Sequence, residues 1–132
     1  MSDELSSTKA KAFLIFCAIG LVPIALGYGA RPTDSLDTLF DITVDTINLT
    51  HIMRAIMGLY LGMVVIWVWG AFDKRLTTPA LVSCAVFMLG LAAGRILSFV
   101  LDGMPHWLLV VYAVLEILLG LVAVAIYRRT VS

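Results

Sequence analysis

Gly90-Leu-Ala-Ala-Gly94-Arg95-Ile-Leu-Ser98-Phe-Val-Leu-Asp102-Gly103-Met-Pro105-His106-Trp107-Leu-Leu-Val-Val-Tyr112-Ala-Val-Leu-Glu116-Ile-Leu-Leu-Gly120 is an apolar hairpin with two charges inside its arms. The turn Asp102-Gly103-Met104-Pro105 divides it into two segments of membrane-spanning character. If both are helices they run antiparallel, and helical side chains lean toward their own N-terminus. Arg95 comes late in the first arm and leans toward the bilayer middle. Glu116 lies about ten residues into the second and leans back toward the turn. At ~1.5 Å per residue the two Cα levels differ by roughly one helical turn. The two side chains therefore lean toward each other, and the hairpin predicts a buried Arg95–Glu116 pair inside a helical bundle.

Composition agrees with a bilayer setting. Of 132 residues, 61% are hydrophobic and 14% charged, where soluble domains carry roughly 25% charged residues. The mean hydropathy is +1.03. Too little polar surface exists to cover a water-soluble fold, so the chain reads as one integral membrane domain. The formal net charge is zero. Without a basic stripe or interleaved aromatics, nucleic-acid binding has no support. Cys17 and Cys84 stand inside apolar runs without metal-ligand spacing and read as small buried hydrophobes.

Working outward from the hairpin, the apolar runs define four helices, at about 10–28, 49–72, 79–101 and 106–127. Residues 1–9 are polar and read as a disordered tail. Ala25-Leu26-Gly27 resembles a signal-peptide cleavage site, but the first run approaches the ~20 residues that span a bilayer. It is expected to be a retained helix. The segment at about 34–47 places Leu36, Leu39, Phe40 and Ile47 among Asp37, Asp41 and Asp45. That pattern predicts a short amphipathic helix on the bundle mouth. Strand-like alternation at Ile42 and Val44 competes with it locally. Trp67, Trp69, Trp107 and Tyr127 fall near run ends, as aromatic belts do. The expected fold is all-α: an integral membrane four-helix bundle with an interfacial segment between its first and second helices.

Orientation follows from the basic residues. Lys9, Lys11, Lys74, Arg75, Arg128 and Arg129 share one face with both termini, and only Arg31 lies clearly outside the membrane on the other. The bias places both termini in the cytoplasm of a multi-pass membrane protein.

Polar residues cluster by depth. Asp45, Asn48, His51 and Arg54 enter from the outer side on the second long helix. Ser98 and Asp102 leave toward that side on the third, and Tyr112 enters on the fourth. With Arg95 and Glu116 they outline an outward-facing pocket. A charge at the bilayer centre costs ~2.5–3.5 kcal/mol on insertion scales, which makes Arg95 and Glu116 the first functional candidates. The structural alternative is an ion pair that only fixes helix register. Arg54 also reads as a side chain snorkelling to headgroups, and His51 as a solvated interfacial imidazole. Asn48 and Tyr112 complete the candidate ligand-binding set, while Asp102 reads as a turn or cap. Gly58 and Gly62, in line with Arg54, and Gly90, Gly94 and Ser98 form small-residue ridges. These predict close packing of the second and third long helices, with Arg54 on the same side as Arg95. The competing use of such a ridge is homodimerisation. No nucleophile triad, metal cluster, phosphate loop or CxxC occurs.

The segment Asn48-Leu-Thr-His51-Ile-Met-Arg54-Ala-Ile-Met-Gly58-Leu-Tyr60-Leu-Gly62 resembles a bacterial family of uncharacterised small four-helix membrane proteins, a domain of unknown function. Leu89-Gly90-Leu-Ala-Ala-Gly94-Arg95, the Asp102-Gly103 turn and the Glu116 helix resemble its later part. The layout is more distantly similar to DoxX-type membrane proteins. The resemblance spans most of the chain after residue 26 and implies a fold but no settled activity.

These readings lead to a non-enzymatic binder of a lipid, quinone or similar amphiphile, or to an accessory subunit of a larger membrane complex. Arg54 and Arg95 would engage an anionic or carbonyl group, with Glu116 orienting Arg95. The alternative is a small proton-coupled exporter using Glu116, similar in size and helix number to small multidrug-resistance transporters. Those carry their carboxylate in the first helix, however. An enzyme on a lipid-soluble substrate ranks third. Membrane lipids, a lipophilic small molecule, a larger complex or a second copy are the expected partners, and no cofactor is specified.

Overall fold

In a computed structural model that describes residues 2–131, the chain is all-α, with five helices. They are α1 (Ser2–Gly29), α2 (Pro32–Phe40), α3 (Ile47–Phe72), α4 (Lys74–Asp102) and α5 (Trp107–Val131). Four of them, all but α2, contain segments long and apolar enough to cross a membrane. The first long helix packs chiefly on α3, α3 on α4 and α4 on α5, with a lighter seam between α5 and α1. That order brings the two arms of the charged hairpin together.

Helix ends differ from the sequence expectation for identifiable reasons. The expected tail at 1–9 is helical from Ser2 on, with Met1 outside the described residues. No Gly or Pro separates Ser2 from the apolar run, so nothing stops the helix from extending. The amphipathic helix is shorter than 34–47. It opens on Pro32 and ends at Phe40, where Asp41 turns left-handed at φ 58° and Ile42 N–H returns to the Leu36 carbonyl at 3.1 Å. Residues 41–45 then run non-helically to Thr46, whose Oγ1 caps α3 by accepting from Leu49 N–H at 3.1 Å. Neither the helical spacing nor the strand-like alternation extends through this stretch: it is irregular, with Ile42 exposed and Val44 buried.

Lipid supplies no hydrophobic drive between helices, so close fit and hydrogen bonds must hold them. Trp67 shows both. It is fully buried rather than a belt residue, packs edge-on against Phe87 at 5.6 Å, and donates its indole N–H to Ser83 Oγ at 3.2 Å. Trp69 and Trp107 are exposed. A single residue, Asp73, separates α3 from α4. Its carboxylate accepts from Arg75 N–H at 3.0 Å and pairs with the Arg75 guanidinium at 3.0 Å. Thr77 Oγ1 closes the turn onto the Gly70 carbonyl at 2.7 Å. Gly70 is needed here, because a Cβ would stand 2.7 Å from the Leu76 carbonyl oxygen and closer still to the Ala80 methyl.

The expected glycine ridges do not join α3 to α4. A Cβ built on Gly58, Gly62, Gly90 or Gly94 meets nothing within 4 Å, and all four residues are exposed. The helices meet instead through larger side chains and Gly70. Gly120 serves the α4–α5 seam against Leu89 and Met88.

Candidate functional site: a paired arginine beside a lateral groove

Arg95 on α4 and Glu116 on α5 form the predicted pair. Arg95 Nε donates to both carboxylate oxygens, at 2.8 Å to Oε2 and 3.0 Å to Oε1. Both side chains are largely buried, at 18% and 10% exposure. Arg95 Nη2 donates to the Tyr28 hydroxyl at 3.3 Å. A guanidinium carries five N–H donors. With one on Glu116 and one on Tyr28, both protons on Nη1 and the second on Nη2 have no hydrogen-bond partner among the described residues.

Aromatic rings pack around the pair. Tyr112 lies with its centroid 5.9 Å from Arg95 Cζ. Tyr28 stacks on Phe40 at 5.7 Å and meets Tyr60 edge-on at 5.5 Å. Phe40 in turn meets Tyr112 at 5.9 Å and His106 at 6.3 Å. Leu36, Phe40 and Val44 are buried together against Tyr28, Leu108 and Tyr112, so α2 and the chain after it cover the end of the bundle. The polar interior therefore does not open through that end.

Openings lie on the sides instead. A groove of ≈ 590 Å³ runs between α3 and α4 to the α5 entry, with Arg95 its only charged lining residue among the described residues. Gly90 and Gly94 form its floor, flanked by Leu59, Phe87 and Phe99. A smaller, more enclosed cavity of ≈ 120 Å³ between α1 and α5 reaches Glu116 from the other direction, with Tyr60 and Tyr112 in its wall. The ion pair thus separates two lateral spaces, one touching its cationic member and one its anionic member.

Of the other candidates, Ser98 lines the Arg95 groove and Tyr112 stands at the pair, while the rest lie elsewhere. Arg54 Nη1 donates to the Gly29 and Ala30 carbonyls at 3.2 and 3.4 Å. It thereby satisfies backbone acceptors at the C-terminal end of α1, where a cation also suits the helix dipole. Arg54 and His51 line a separate open recess near Asp45, not the Arg95 groove. Asn48 is exposed at the start of α3. Ser98 and Asp102 hydrogen-bond each other at 2.8 Å at the end of α4. Tyr112 alone of the outlying candidates stands at the pair. Tyr28 and Phe40 entered through packing that no short motif marks, although a tyrosine at the C-terminal end of α1 has the right depth to meet Arg95.

Cys17 and Cys84 are buried free thiols, and no group of three His, Cys, Asp or Glu residues placed to hold a metal occurs among the described residues. The site's chemistry is that of hydrogen-bond donation within an apolar wall.

A family model described as a domain of unknown function, DUF4345, matches residues 9–127. The chain belongs to the DUF4345 family. The match runs from within α1 to within α5, so the paired charges and both lateral spaces fall inside the DUF4345 domain. No curated protein and no solved structure matches the chain.

Proposed function

We propose that this DUF4345 protein is a non-enzymatic binder of a membrane amphiphile, a lipid, quinone or similar molecule, held in the groove between α3 and α4. It sits in the bacterial cytoplasmic membrane with both termini in the cytoplasm, in keeping with the distribution of Lys and Arg. The observation that carries the binding reading is Arg95 on the wall of that groove, with donors left over after Glu116 and Tyr28 are served. Groups able to donate hydrogen bonds are costly to leave unpaired in an apolar setting. A head group with acceptor oxygens would satisfy them, and the apolar walls suit its chain. Glu116 fixes Arg95 through Nε and leaves the guanidinium fork free.

Native mass spectrometry of protein extracted gently from its own membranes tests this reading. The account expects a bound small molecule that disappears in Gly94→Leu, which fills the groove floor while keeping both charged residues. A bare protein, or a bound species indifferent to Gly94→Leu, contradicts it.

A second reading, an accessory subunit of a larger complex, draws on the small-residue ridges Gly58–Gly62 and Gly90–Gly94. A Cβ at any of the four would meet nothing within 4 Å, so another chain's helix would find close backbone approach there. A protein partner that survives mild detergent and is lost in Gly62→Leu supports this reading.

A further inference from the structure

The geometry points to a neutral ligand at Arg95: a carbonyl-bearing amphiphile of the quinone or ester class, in preference to a fatty-acid carboxylate or a phosphate. The inference rests on the binding reading of the groove and names the charge class of its occupant.

The argument begins with the sum of charges. Among the described residues, Arg95 is the only charged one lining the α3–α4 groove, and Glu116 the only one lining the cavity behind it. They hydrogen-bond each other at 2.8 Å, so the site is electrically neutral as built. Membrane interiors penalise uncompensated charge. An anionic head group on Arg95 would turn a neutral pair into a net negative triad and set a second anion close to the Glu116 carboxylate. Two such anions sharing a site disfavour joint ionisation. The only other polar side chain bonded to Arg95 is Tyr28, whose hydroxyl carries no compensating positive charge. Arg54, the nearest alternative cation on α3, is engaged with the carbonyls of Gly29 and Ala30 and lines another recess.

A carbonyl oxygen meets the same donors without that penalty. It accepts from Nη1 or the remaining Nη2 proton, adds no charge, and leaves the Arg95–Glu116 bond in place. The groove has room for an apolar ligand. Its floor is the bare backbone of Gly90 and Gly94, where an added Cβ would meet nothing within 4 Å, and its walls are Leu59, Phe87, Leu91 and Phe99.

Chain-matched probes test the inference on the full-length protein in nanodiscs. One is a benzoquinone bearing a saturated ten-carbon tail, the other decanoate at neutral pH, each corrected for partition into protein-free discs. Wild-type protein is expected to bind the quinone at least tenfold more tightly than decanoate. Glu116→Gln keeps an acceptor for Arg95 Nε but makes the site cationic, and is expected to reverse the order. A wild-type preference for decanoate overturns the neutral-ligand inference while leaving the groove a binding site. Binding of neither probe to wild type overturns the inference and the binding reading together. The wild-type comparison stands even if Glu116→Gln fails to fold.

Discussion

Arg95 and Glu116, 21 residues apart in sequence, meet through a two-pronged bond in which one Nε–H serves both carboxylate oxygens, at 2.8 and 3.0 Å. This use of Nε leaves the fork of the guanidinium facing away from its counter-ion. A pair built only to cancel charge would profit from the parallel two-donor contact that arginine makes with carboxylates. Here Tyr28 takes one fork proton and the rest remain available beside the groove.

Breaking the pair from one side differs from removing it. Arg95→Met leaves Glu116 buried without its cation and is expected to cost ~3–5 kcal/mol, whereas Arg95→Met with Glu116→Leu restores most of that loss. Thermal unfolding in nanodiscs measures both. Equal destabilisation by the single and double variants would contradict a buried, mutually compensating pair.

Phe40 joins the cover at the bundle's end to the site below. Its ring stacks on Tyr28 and meets Tyr112, and it is 5% exposed. Phe40→Ala is expected to lower stability by ~3 kcal/mol, the lower end for buried aromatic truncations. Faster hydrogen exchange in α2 should accompany that loss. Unchanged exchange in α2 would show that Phe40 does not hold the cover down.

Two glycines on neighbouring helices should respond in opposite ways. A side chain at Gly70 runs into the Leu76 carbonyl and Ala80, while one at Gly94 enters open space. Gly70→Val is expected to destabilise the α3–α4 hairpin by ~1–3 kcal/mol, the range for overpacking. Gly94→Leu should leave the unfolding temperature within a degree or two of wild type. Comparable losses at both positions would refute the placement of Gly70 in the tight α3–α4 seam and of Gly94 in open space.

Asp73 gives a pH signature outside the membrane. Its hydrogen bond from Arg75 holds the carboxyl below its ordinary value of 3.8. A depressed folded-state value contributes stability that is fully present above the unfolded value and is lost as pH falls through the folded one. The melting difference between wild type and Asp73→Ala should therefore hold steady from pH 7 to 5. It should shrink below about pH 4. A difference that grows on acidification would contradict the cap.

The sequence made the four long helices legible because each apolar run is long and the breaks at Gly103 and Asp73 are sharp. Side-chain direction and a helical rise of ~1.5 Å were enough to anticipate the Arg95–Glu116 contact. Depth alone was not enough for the rest. Arg54, His51 and Asn48 share one half of the bundle with Arg95, yet depth does not say which way around a helix a side chain turns. Arg54 turned to the end of α1. The glycine ridges failed for a related reason: small residues permit close approach without specifying whose helix approaches. The helix on the bundle mouth, with Phe40 among its apolar residues, was legible, but its end was not, because a left-handed turn at Asp41 broke an otherwise helical pattern.

The most direct test of the groove is a photoreactive amino acid placed at Phe99 and crosslinked in living cells, with Val122 on α5 as a lipid-exposed control. The account predicts one discrete small-molecule adduct at position 99, absent at 122 and abolished by Gly94→Leu. The same mixture of bulk phospholipid adducts at both positions, unchanged by Gly94→Leu, would show that the groove beside Arg95 is only another lipid-facing surface.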